Sequence, residues 1–127
     1  METTKTASQI LNEAADLLEE EGRWDQRYLF KITEKGCSMC AHGAIAYCGN
    51  PKVKEFILNK DRFKTVDEAM LVLGGDTIEE WRSQGGEVGV AHYFAAKNGL
   101  TFAFNDHPAT TKQDVIHKLR EIAKLAV

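Results

Sequence analysis

Between Ile10 and Leu18 the apolar side chains fall at Ile10, Leu11, Ala14, Leu17 and Leu18, with Glu13, Asp16 and Glu20 on the other side. That is the spacing of one helical face. Thr6 and Gln9 stand as a capping box before the run, and Gly22 marks its end. From Trp24 to Thr33 the period shortens: Tyr28, Phe30 and Ile32 recur at every second position, as in a half-buried strand. Gly36 turns the chain. Ser38 then caps an expected helix through Ala41, Ala44, Ile45 and Cys48, which Gly49-Asn50-Pro51 must end, because proline disfavours helical geometry in the residue before it.

Asn50 and Pro51 suit the start of a further helix carrying Val53, Phe56 and Ile57, and Thr65 with Glu68 forms a second capping box. Gly74-Gly75 closes that stretch, and Asp76 or Thr77 starts a short helix with Ile78 and Trp81. Past Gly85-Gly86, which act with Gly89 as hinges, the run from Val88 to Lys97 predicts a mostly apolar helix leaving through Asn98-Gly99. Leu100, Phe102 and Phe104 alternate with Thr101 and Ala103, so a second short strand is expected there, pairing with the first. Thr111 caps a last helix with Val115, Ile116, Leu119, Ile122 and Ala123 inward and Asp114 and Lys118 four apart on the outer face.

The pattern predicts an α+β fold: one mostly helical domain over residues 1–127, with five or six short helices and a small two-stranded β element joining the Trp24 region to the Leu100 region. Composition fits a globular chain, with 43% hydrophobic and 28% charged residues. A net charge of -3 gives no general attraction to nucleic acid or to acidic membranes. Met1 to Gln9 is polar, with no secretion signal, and no apolar run approaches the roughly 18 residues that span a bilayer. A cytoplasmic location is therefore expected, where the three cysteines stay reduced.

Four landmarks stand in order: Gly22-Arg23-Trp24 after the first helix, CAHGAI at Cys40 to Ile45, FND at Phe104 to Asp106, and Thr111 opening the last helix. They resemble a family of small uncharacterised proteins of phages and actinobacteria, a domain of unknown function whose members carry GW, CALGA and WND landmarks. Here Arg23 separates the glycine from the tryptophan, His42 stands for leucine and Phe104 for tryptophan. The resemblance lies at the two ends of the chain, with no counterpart for Pro51 to Gly86, and implies a shared fold without an activity.

Cys37, Cys40, His42 and Cys48 lie within twelve residues, and thiolates with imidazole are what zinc selects. On one helix, however, Cys40 and His42 point about 200° apart, whereas Cys40, Ala44 and Cys48 share a face, as small buried side chains do where helices pack. Packing outweighs metal binding. Cys37 and Cys40 also flank a helix start, which lowers a thiol's pKa, and His107 beside Asn105 and Asp106 supplies a base by type. The Asn105-Asp106-His107-Pro108 run reads first as a turn staple and second as a polar ligand patch with Trp24 and His42. His92 reads as a core histidine. The basic stretch Lys52 to Lys64, five basic residues against two acidic with Phe56 and Phe63 between them, reads as a solvated helix face.

The leading expectation is a non-catalytic accessory or interaction protein, phage-encoded as the resemblance implies. Its binding residues are Trp24, His42, Asn105, Asp106 and His107, with no catalytic residue, metal or cofactor. A protein partner is expected, nucleic acid and membrane are not, and a homo-oligomer is left open. The alternative is a cysteine/histidine enzyme or zinc protein using Cys37, Cys40 and His107.

Overall fold

The computed structural model describes residues 5–26, 30–33, 36–49 and 74–127, and there the chain is mostly helical. The elements in chain order are α1 (Ala7–Glu19), β1 (Phe30–Thr33), β2 (Gly36–Met39), α2 (Ala41–Gly49), α3 (Ile78–Lys97), α4 (Phe102–Asp106) and α5 (Lys112–Leu125). The expected helix through Val53, Phe56 and Ile57, the Thr65–Glu68 box and the basic stretch lie outside the described residues.

Local sequence sets the two end helices. Thr6 accepts from the Gln9 backbone N–H while the Gln9 side chain accepts from the Thr6 backbone N–H, and Thr111 and Asp114 repeat the exchange at α5. Each box satisfies donors that a helix start leaves open. Asp114 thus serves its own helix start, and Lys118 lies over the Phe104 ring, 4.9 Å from its centroid, rather than pairing with it as the four-residue spacing suggests. The inward faces, Ile10, Leu11, Ala14 and Leu18 on α1 and Val115, Ile116, Leu119, Ile122 and Ala123 on α5, are buried together. α1 packs chiefly on α5 and next on α2.

α2 enters this core with Ala41, Ala44, Ile45 and Ala46 buried, so small side chains bring its backbone close to its neighbours. A Cβ on Gly49 would stand 2.6 Å from the Val88 side chain and 3.1 Å from that of Ile10. Ser38 is not the cap of α2. It lies in β2, and its hydroxyl donates to Asp25 Oδ2 at 3.1 Å.

β1 and β2 are antiparallel neighbours, Phe30 opposite Met39 and Thr33 opposite Gly36. Gly36, expected as the turn, is the first residue of β2. Beside Met39 the chain at Trp24 forms an isolated parallel bridge, with Met39 N–H donating to Arg23 O and Asp25 N–H to Met39 O. The expected pairing of the Trp24 region with a strand at Leu100 to Phe104 does not form, because residues 102–106 are helical. Thr101 accepts from the Phe104 N–H as a cap, and the short turn is held from outside by the contacts of Asn105.

α3 is capped by Thr77 and breaks at Gly86, whose φ of 60° and ψ of -142° suit glycine. Beyond the break the chain returns close to the first half, and a Cβ on Gly89 would overlap the Trp81 carbonyl. Val90, Ala91, His92 and Ala95 are buried. Among the described residues no helix is long and apolar enough to cross a membrane.

Candidate functional site

Among the described residues Asn105, fully buried at the end of α4, carries a side chain bonded on every side. Its Oδ1 accepts from Trp24 Nε1 at 2.9 Å and from the Ala41 backbone N–H at 3.1 Å. Its Nδ2 donates to the Asp25 carbonyl at 3.2 Å and to Asp106 Oδ1 at 3.0 Å. Two lone pairs and two hydrogens are all that a carboxamide offers, so its capacity is used in full. The orientation of the amide is fixed by chemistry: indole and backbone N–H groups only donate, and the Asp25 carbonyl only accepts.

One side chain thereby joins three stretches of chain. Gln26 reinforces the joint, its Nε2 donating to the carbonyls of Asn105 at 3.0 Å and His107 at 2.9 Å. Asp25 is tied on both oxygens, Oδ2 by the Ser38 hydroxyl and Oδ1 by the Gln26 N–H at 2.8 Å. His107 itself is exposed. Its Nδ1 accepts from the Ala109 N–H at 3.0 Å, and its carbonyl from the Thr110 N–H at 2.9 Å, which closes the turn before α5.

A second group of titratable side chains lies where α2 meets α3. His42, in the first turn of α2, bonds the Leu100 carbonyl, and its ring stacks on that of His92 with 5.8 Å between centroids and 2° between planes. Burial pushes the pKa of both imidazoles down, that of His92 to about 3. For His42 the Leu100 carbonyl and the Asp106 carboxylate oppose the shift, and for His92 the charge of His42 adds to it. Both rings are therefore neutral at pH 7.

Cys40, just ahead of α2, is 1% exposed. Burial, aided by the nearby Asp106 carboxylate, raises its pKa to about 11, against the lowering effect of the backbone N–H groups of Gly43 and His42. At neutral pH the sulfur is a thiol, which is neither a strong nucleophile nor a ready metal ligand. Cys48 sits at the far end of α2, half-buried against the core, with its carbonyl accepting from Lys5 Nζ at 2.9 Å. Cys37 belongs to β2, opposite Ile32. Among the described residues no three His, Cys, Asp or Glu side chains are grouped to hold a metal ion.

Of the residues singled out in the sequence, Trp24 and Asp106 both bond Asn105, His42 lies within the field of Asp106, and His107 contributes its carbonyl and Nδ1 to the turn at an exposed position. Asp25 and Gln26 belong to the same network and carried no sequence signal beyond proximity to Trp24, while Ser38, expected as a helix cap, joins it through Asp25.

DUF6197, a family of unknown function, matches residues 2–125, which takes in the stretch from Pro51 to Gly86 where the landmarks had shown no counterpart. No curated protein and no solved structure matches the chain.

Proposed function

The chain belongs to the DUF6197 family, and from that premise we propose that it is a non-catalytic accessory protein, phage-encoded and cytoplasmic, that acts by binding another protein. The observation that supports this reading most is the state of Asn105: the polar side chain best placed for chemistry commits all four of its hydrogen bonds to holding the fold. The residues around it do likewise. Trp24 spends its indole N–H on Asn105, and Asp25 is bonded on both oxygens. Such a network is a rigid support for a surface rather than a set of groups waiting for a substrate. Exposed His107 and the outer sides of Trp24 and Asp106 form the part of this region that a partner would meet.

The cysteine/histidine alternative draws less support. A nucleophilic cysteine needs a stabilised thiolate, and burial acts the other way on Cys40. His42, two residues on, is kept neutral by burial, with its ring stacked on that of His92.

Alkylation and cross-linking together test the proposal. With iodoacetamide at pH 7 and site-resolved mass spectrometry, Cys40 of the native protein is expected to react at least about 10-fold more slowly than a small free thiol, because burial both shields the sulfur and raises its pKa to about 11. Reaction at or above the rate of the free thiol would sink the non-catalytic reading. Cross-linking from position 107 in the native host is expected to attach one recurring protein, and repeated recovery of the chain with no protein attached would overturn the partner.

A further inference from the structure

Two imidazoles from different helices, stacked in the interior, are an unusual way to close a helix junction. His42 comes from α2 and His92 from α3, and His92 is 7% exposed. Their rings lie within 2° of parallel at 5.8 Å. Neutral rings in this arrangement gain dispersion and shed water. A proton on either ring puts a charge into the seam, and a second puts two like charges face to face where water cannot screen them.

The charges that bear on the pair are few. From α4 the Asp106 carboxylate acts on His42 and favours its protonation, and the loop after α3 offers the Leu100 carbonyl to the same ring. On His92 the only charge acting, among the described residues, is that of His42. No described carboxylate acts on His92. The first proton therefore goes to His42, and it makes His92 harder to protonate while the rings stay together. We propose that the His42–His92 stack is an acid-sensitive joint between α2 and α3, closed while both rings are neutral and opened by protons.

The direction follows from linkage. An imidazole in the opened chain titrates near 6.5, whereas both rings of the closed joint titrate lower, His92 at about 3. The opened state thus binds more protons below about pH 6.5. Closure is fully favoured above that pH and is lost progressively as pH falls toward 3. For one histidine, the opening constant rises about 30-fold between pH 7.5 and pH 5.

Amide hydrogen exchange on the full chain, corrected for the intrinsic pH dependence of exchange, reads that constant helix by helix. The expected result is a loss of protection of about 30-fold or more in α2 and in the second half of α3 from pH 7.5 to pH 5, a smaller loss in α5, and a clearly weaker pH dependence in His92→Gln, where only His42 is left to titrate. An equal loss in α5 would mean that the whole chain unfolds, and equal pH dependence in His92→Gln would mean that the stack is not the sensor; either overturns the joint. Should His92→Gln not fold, the wild-type ring signals decide by NMR. A His92 ring still neutral at pH 5 supports the joint, and one titrating near 6.5 overturns it.

Discussion

Removing the Asn105 carboxamide takes the partner from the buried Ala41 backbone N–H and from the part-buried Trp24 indole N–H and Asp25 carbonyl. A buried polar group without a partner costs about 1–3 kcal/mol, so Asn105→Ala is expected to lower stability by about 3 kcal/mol or more. Urea unfolding followed by tryptophan fluorescence measures this, and a loss below about 1 kcal/mol would show that the amide is not the tie described. The sequence exposed the identity of this residue but not its task. Asn105 and Asp106 stood out as turn formers, and Trp24 as a landmark, each from local type. Their meeting was not legible, because Asn105 lies 81 positions from Trp24 and 64 from Ala41, and no spacing rule reaches so far. The stacking of His42 on His92 was hidden for the same reason, although the buried, apolar setting of His92 was readable from its neighbours.

At the scale of elements, whatever depended on neighbours four residues apart was legible. The capping boxes at Thr6 and Thr111, the inward faces of α1 and α5 and the break at Gly86 are local properties. α4 was not, because five residues are too few to separate a period of two from one of 3.6, and Leu100, Phe102 and Phe104 satisfy the strand pattern by accident. A single helical turn has little stability of its own, so its conformation is decided by the contacts of Asn105 elsewhere. The break in α3 offers a paired test of backbone against packing. Gly86 has open space around it but a positive φ, and Gly86→Ala is expected to cost about 1–3 kcal/mol through strain. Gly89→Ala places a methyl against the Trp81 carbonyl and must push the two halves of α3 apart, so its cost should be larger and accompanied by a change in the near-ultraviolet signal of Trp81. Equal costs in thermal unfolding would mean that the close approach at Gly89 does not matter.

Across the whole molecule the charged surface contributes less than its contacts suggest. Arg120 on α5 reaches Asp16 at 2.8 Å and Glu19 at 2.9 Å on α1, bridging the largest seam among the described elements. All three side chains are well exposed, and exposed ion pairs contribute about 0–1 kcal/mol. Arg120→Ala is therefore expected to change stability by less than about 1 kcal/mol, a change that 1 M salt largely removes. A larger, salt-insensitive loss would show that the arginine stem or the network does more than pair charges. Beneath those charges the seam is apolar, Leu11, Ala14 and Leu18 against Val115, Leu119 and Ile122.

Among the described elements α1 finds its main partner in α5, close to a hundred residues later in the chain. During synthesis the part of the apolar face of α1 that α5 covers therefore stays open until residues beyond Thr111 have emerged, at about 5–20 residues per second. A fragment released by a ribosome stalled before α5 would keep that apolar strip exposed, the condition under which partly folded chains aggregate.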